Sequence, residues 1–240
     1  MERIVASRTR IDRAGRLLRD WWETPSGSKE AQAFDEEELT EAVGAIVDYR
    51  SGFQDPLKKV TVGLRQFVER ESSEIVVGQR LKRDPQILNK LGRFRSMRLT
   101  QMEDIAGCRA ILPGGAPEVT GVLKRIRRNW NVIRVDDYVA SPKNTGYRAL
   151  HVVVRRDDHP VEIQLRTPFQ HEWAEAVERW AARTRFALKD GEGPPELLTY
   201  LELVAWAISA DERGEKPDED FMHVLSRFKA RIDHYLDPSE

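Results

Sequence analysis

The chain carries a single cysteine, Cys108. No internal disulfide is possible, and a lone thiol inside the apolar run 105–112 reads as a small buried hydrophobe in a reducing cytosol. Long hydrophobic runs are missing too: none approaches the ~18 residues of a membrane span. The N-terminus is rich in arginine and aspartate and lacks the apolar core of a signal peptide, so a cytoplasmic location is expected. Charge of one sign is not in excess. Thirty-nine basic and 40 acidic side chains give a net charge of −1, so any anion site must be local rather than global. There is no Gly-x₄-Gly-Lys-Ser/Thr, no Gly-x-Gly-x-x-Gly, no cysteine pair for zinc and no Gly-x-Ser-x-Gly. Those absences exclude the P-loop, Rossmann and nucleophile-elbow hydrolase readings. Internal repeats and low-complexity tracts are absent as well.

What is present starts with helical periodicity. Ile11, Ala14, Leu17, Leu18 and Trp21 predict a helix over 7–22, with core packing the commoner use of the Trp21-Trp22 pair. Asp35 is a plausible N-cap for a helix over 36–50, ended by Ser51-Gly52. A third helix, 56–71, opens at Pro56 and repeats Leu57, Val60, Leu64, Phe67 and Val68 on one face. The period then changes to two. Residues 75–82 read as a strand with Arg80 and Lys82 on one face, and Asp84-Pro85 as the N-cap and first residue of a short helix over 85–94. A buried strand over 105–112, a helix over 116–128 and a strand over 131–139 follow. Two alternating strands set His151 and Arg155, then Glu162, Gln164 and Arg166, on faces opposite Leu150, Val152, Val154, Val161, Ile163 and Leu165. A helix opening at Gln170-His171 is expected to bury Phe169, Trp173, Val177 and Trp180. Residues 190–195 form a Gly/Pro-rich break, and helices over 196–212 and 218–236 finish the chain. The order is that of an α+β protein with a mixed sheet of about five strands. It suggests one domain, 1–240, with a helical element 1–72, a sheet core 73–188 and C-terminal helices 189–240.

The chemistry gathers on that polar strand face. Asp104 precedes the buried strand, and a carboxylate at the mouth of a strand can hold a metal at a sheet edge. Glu162 is the second acid. Arg80, Lys82, Lys90, Arg109 and Lys143 supply cations on neighbouring elements, and Tyr147 follows a glycine in a turn, where an exposed aromatic can stack on a base. Two carboxylates for Mg²⁺, point charges for phosphates and an aromatic platform are what nucleotide phosphoryl chemistry requires.

Five segments in order carry a resemblance. They are Arg80-x-Lys82, Asp104-Ile105-Ala106-Gly107-Cys108-Arg109, Asp137-Tyr138, Pro142-Lys143 with Gly146-Tyr147-Arg148-Ala149-Leu150-His151, and Val161-Glu162-Ile163-Gln164-Leu165-Arg166-Thr167. Together they resemble the synthetase domain of the RelA/SpoT family, the (p)ppGpp alarmone synthetases, over about residues 74–180. The resemblance implies a nucleotidyltransferase-like mixed sheet and a pyrophosphate transfer in which the 3′-hydroxyl of an acceptor nucleotide attacks the β-phosphorus of ATP and AMP leaves. It implies that Asp104 holds Mg²⁺ and that Glu162 helps the metal or takes the hydroxyl proton. Arg80, Lys82 and Arg109 then bind the ATP phosphates, with Lys90 beside them. Tyr147 stacks on the acceptor base, Lys143 and His151 meet acceptor phosphates, Gln164 and His171 lie near its sugar, and Arg166 joins the acceptor side.

Two positions depart from the family pattern: Asp136 stands where a basic residue is frequent, with Arg134 two residues earlier, and Thr145 stands where many members have asparagine. The chain has no His-Asp dipeptide and no histidine before His151, so hydrolysis of the product is not expected. The acceptor stays open among GDP, GTP, an adenine nucleotide and the 3′ CCA end of tRNA. The last two belong to toxin-type relatives, for which an antitoxin partner is expected. Small family members often assemble, so a homo-oligomer is a further expectation. From another class, a silent nucleotide-binding module would bind ATP or GTP without turnover.

Overall fold

A computed structural model of the chain describes residues 7–68 and 76–236. Helices come first: α1 (Arg8–Glu23), the short α2 (Lys29–Gln32), α3 (Glu36–Ser51) and α4 (Gln54–Val68). The Asp35 carboxylate accepts from the Glu38 N–H at 2.8 Å, so the predicted N-cap holds. Gln54, not Pro56, opens α4, and residues 69–71 of the expected helix lie outside the described residues. Strand β1 (Val76–Leu81) begins after Ile75, which also lies outside them. In α5 (Asp84–Arg93) the cap position falls on Arg83 and no side chain caps it. Asp84 is therefore the first helical residue rather than the cap. The register is set by Pro85, whose missing N–H is tolerated only in the first turn.

Strand β2 (Ala106–Ile111), helix α6 (Gly115–Asn129), and strands β3 (Asn131–Asp137), β4 (Leu150–Arg156) and β5 (His159–Arg166) complete the sheet. Its order is β1-β2-β5-β4-β3. Strands β2 and β5 run parallel and every other pair is antiparallel. The expected five-stranded mixed sheet is thus present. Asp157 and Asp158 both have positive φ, 46° and 62°, which matches the twist of the tight β4–β5 hairpin. Lys59 pairs with Asp157 at 2.7 Å and ties that hairpin to α4.

One apolar core packs α1, α3, α4, α5 and α6 on one side of the sheet, with Leu64, Ile105, Ile126 and Ile163 fully buried. Each such side chain contributes about 1.5–3 kcal/mol by leaving water. A second, smaller core joins α7 (Pro168–Thr184), α8 (Pro195–Glu212) and α9 (Glu219–Leu236) around Trp173, Val177, Leu188, Leu197 and Leu201. Three aromatic residues depart from expectation. Phe169 is 49% exposed, Trp21 40% and Trp22 44%. Helical spacing puts Trp21 toward the apolar side of α1, but α5, which meets this last turn at Asn89 and Gly92, leaves the Trp21 ring exposed. Trp22 instead donates its indole N–H to Asn89 at 2.8 Å. Trp180 is half-buried against the second core. Among the described residues, no helix is long and apolar enough to cross a membrane.

Candidate active site

Cross-strand register builds the site. Arg80 lies opposite Gly107, Gly107 opposite Glu162, and Glu162 opposite Val153. The next row runs Gly78, Arg109, Gln164, His151 and Asp136. Side chains directly opposite share a face, so strands far apart in sequence deliver Arg80, Arg109, Glu162, Gln164 and His151 to one surface. Gly107 leaves a gap between Arg80 and Glu162, where an added Cβ would meet only a backbone oxygen at 3.8 Å. Helix α7 crosses above and closes a cavity of about 430 Å³ between itself and the sheet.

Helix α7 is firmly started. Thr167 and Gln170 form a reciprocal capping box, and Pro168 takes the first turn. Glu212, at the end of α8, accepts from both the Thr167 hydroxyl and the Gln170 amide, the latter at 3.1 Å. The face turned to the cavity carries Ala174, Glu175 and Glu178.

The acids and cations find each other. Asp104 sits in the turn just before β2; one of its oxygens accepts from Lys82 Nζ and the other from Lys90 Nζ, both at 2.8 Å. Burial pushes its pKa up, but the two ammonium groups outweigh that and hold the carboxyl below its usual range. Glu162 is likewise raised by burial and brought lower overall by His151 and Gln164, with Asp104 opposing. Arg109 Nη1 pairs with Glu175 at 2.8 Å, and Lys189 pairs with Glu178. Burial and the nearby Arg109 guanidinium lower the pKa of His171, which lies 3.9 Å from Glu175.

Nine of the twelve predicted site residues line the cavity: Arg80, Asp104, Arg109, Lys143, Tyr147, His151, Glu162, Gln164 and Arg166. Lys82 and Lys90 join through Asp104, and His171 stands beside Glu175 without lining the cavity. Tyr147 corrects an expectation, because it is not an exposed platform. Its hydroxyl bonds His151 Nε2 at 2.7 Å and Arg166 Nη2 at 2.9 Å, its ring packs near Trp173, and Lys143 Nζ lies 5.3 Å from the ring centre. Arg166 is buried beneath it, not part of an open floor. Arg134 is spent on Glu103 and Asp136, at 3.0 and 3.4 Å. Glu175, Glu178 and Lys189 were not singled out in the sequence. Glu175 and Glu178 fall four and seven residues after His171, a helical spacing that marks one face.

The class is thus an α+β protein whose five-stranded mixed sheet, flanked by helices, carries an acid pair and converging cations on one face. Residues 79–184 match the family described as "Region found in RelA / SpoT proteins". The match takes in somewhat less than half of the chain, and over that region the chain is similar to the RelA/SpoT proteins. In sequence it is similar to the GTP pyrophosphokinase rsh of Brucella ovis, 23% identical over 204 residues, which are 81% of this chain and 26% of that protein. The chain therefore spans about a quarter of that relative's length. In structure it is similar to small alarmone synthetase 2 of Bacillus subtilis, with 20% identity and a TM-score of 0.58 over 75% of this chain and 97% of the other. It is also similar to small alarmone synthetase 1 of Bacillus subtilis bound to its product pppGpp, with 24% identity and a TM-score of 0.55 over 73% of this chain and 93% of the other. At these identities the likeness concerns the fold.

Proposed function

We propose that the chain is a pyrophosphokinase that moves the β,γ-pyrophosphate of ATP to the 3′-hydroxyl of GDP or GTP, forming (p)ppGpp and releasing AMP. The observation that carries the reading is one cavity in which Asp104 and Glu162 face Arg80, Arg109 and Lys143 on strands and turns fixed by register. In the reaction the acceptor oxygen bonds to the β-phosphorus. The bond from that phosphorus to the oxygen bridging to the α-phosphorus breaks, and the hydroxyl proton leaves to a base. The chain's part is positioning and charge neutralisation.

Arg80 and Arg109, on adjacent antiparallel strands, hold the triphosphate from one side. Lys143, 4.8 Å from the Tyr138 ring centre and 5.3 Å from that of Tyr147, is free to swing onto an acceptor phosphate. When it does, it uncovers the Tyr147 ring for the base. Glu162, ionised well into the acid range, accepts the hydroxyl proton. Asp104 and Glu162 offer hard oxygen donors of the kind Mg²⁺ takes, and Mg²⁺ needs only one or two protein carboxylates. The Asp104 charge acts on Glu162, which supports a cation shared by the two carboxylates; it would take the place of Lys82 or Lys90 on one Asp104 oxygen. Bound there, Mg²⁺ would neutralise charge on the transferred phosphates.

Incubation of the chain with ATP, Mg²⁺ and a panel of GDP, GTP, adenine nucleotides and tRNA tests the proposal. AMP together with a 3′-pyrophosphorylated guanine nucleotide is expected. Transfer to tRNA or to an adenine nucleotide alone would reassign the acceptor, and binding without any transfer would sink the reading in favour of a silent module.

A further inference from the structure

We infer that Tyr147 serves the reaction through its hydroxyl: it is a positioning residue that fixes the tautomer of His151 and, through it, the aim of the Glu162 carboxylate. This deepens the proposed function and rests on it for what Glu162 does.

Five side chains close a ring of hydrogen bonds. Glu162 Oε1 lies 3.0 Å from His151 Nδ1, and His151 Nε2 lies 2.7 Å from the Tyr147 hydroxyl. Arg166 Nη2 donates to that hydroxyl at 2.9 Å and to Gln164 Oε1 at 2.6 Å. Gln164 Nε2 returns to Glu162 Oε2 at 2.8 Å. One set of directions uses every donor and acceptor of the ring with a neutral imidazole. A guanidinium only donates, so the Tyr147 oxygen accepts from Arg166 and its one proton goes to His151 Nε2. His151 Nε2 is then the acceptor nitrogen, and Nδ1 carries the proton that Glu162 accepts. Were Nε2 to carry a proton instead, the Tyr147 proton would have no partner within the ring.

The ring is held from outside as well. Arg166 is 5% exposed, and the side chains of His151 and Glu162 are 12% and 17% exposed. The Tyr147 ring is bracketed by Trp173 and Tyr138 at 6.3 and 6.0 Å. Both oxygens of Glu162 therefore accept from donors whose own orientations trace back to one buried guanidinium. Stacking on an acceptor base would use the faces of the Tyr147 ring; positioning uses its oxygen. The two roles are separable in one substitution.

Tyr147→Phe keeps the ring and removes the oxygen. His151 Nε2 then loses its donor, and the imidazole is released to place a lone pair on Nδ1 against the carboxylate. The expected result is a fall in kcat of about 10–100-fold, the usual effect of losing an outer partner of a reacting group, with the acceptor KM kept within about twofold. In a His151→Asn background, where the amide N–H can donate to Glu162 without any tautomer, Tyr147→Phe is expected to add little further loss. Ring-¹⁵N NMR of His151 reads the same claim without activity. Wild type is expected to carry its proton on Nδ1, and Tyr147→Phe to move it toward Nε2. An Nε2-protonated wild type overturns the inference, and this needs no variant to fold. So does an unchanged tautomer in Tyr147→Phe, a fully active variant, or a loss confined to KM. Should wild type transfer no pyrophosphate, the proposed function fails, and the tautomer spectra still decide the inference.

Discussion

Asp104→Asn isolates the residue on which acid and cations converge. Its carboxylate is 22% exposed, and the Lys82 and Lys90 side chains on it are 13% and 21% exposed, each at 2.8 Å. Exposed pairs contribute only about 0.2–1 kcal/mol each, whereas removing one partner of a fully buried pair costs about 3–5 kcal/mol. These contacts lie between the two limits. Asparagine keeps the shape and one acceptor, so one lysine remains satisfied while the amide N–H₂ faces the other ammonium. A loss of about 2–4 kcal/mol is the reasoned magnitude. For a chain of this size each kcal/mol moves Tm by about 2–4 °C, which gives a fall of roughly 4–16 °C. Thermal and urea unfolding of the metal-free protein measure it. Lys82→Met, added to Asp104→Asn, should restore part of the loss by removing the unpaired charge. A variant as stable as wild type, or more stable, would refute the reasoning: Asp104 would then be a strained acid held for a ligand rather than a paired one.

Other outcomes follow from the same geometry. Gly146 has φ +83°, and an added Cβ would lie 2.7 Å from Ala205 Cβ, whereas Gly27, at φ +81°, has nothing within 4 Å. Gly146→Ala should cost about 2–4 kcal/mol and Gly27→Ala about 1, by urea denaturation; equal losses would remove the packing argument. Glu175→Gln frees Arg109 from its ion pair and should tighten ATP binding about two- to fivefold by calorimetry, from up to about 1 kcal/mol for a partly exposed pair; weaker binding would make Glu175 a support for Arg109 instead of a competitor. Asp104 and Glu162 both have folded pKa values below their unfolded ones, so their contribution is complete above about pH 4–5 and is lost as pH falls through the folded values. Acid unfolding should therefore steepen below about pH 4, and Asp104→Asn should flatten that limb. Burial pushes the Cys108 thiol up to about 12, so an aromatic disulfide reagent should modify it only at the rate of unfolding.

The strand faces were legible because alternation is a local property: Glu162, Gln164 and Arg166 alternate with Val161, Ile163 and Leu165 whatever lies beyond them. Helix ends were legible where the cap is a side chain, as at Asp35, and slipped by one at Asp84, where proline sets the register. Amphipathic spacing marks which way a residue points but not whether another element covers it, which is why Trp21 and Phe169 read as core and stand exposed. The same limit governs the site. Short motifs named the acids and cations, but pairing between Arg109 and Glu175, 66 residues apart, has no local signature. Neither has the ring through Tyr147, which joins the loop before β4 to side chains of β4 and β5. Tyr147 therefore read as an exposed platform, and its hydroxyl went unread.

The most direct test of the central claim is the fate of ATP labelled in its γ-phosphate when the chain is given Mg²⁺ and GDP or GTP, with Glu162→Gln alongside. The label is expected on a product resistant to periodate, as a blocked 3′-hydroxyl requires, with one AMP per transfer and none from the variant. Release of the label as inorganic phosphate with ADP, or equal transfer by Glu162→Gln, would contradict it.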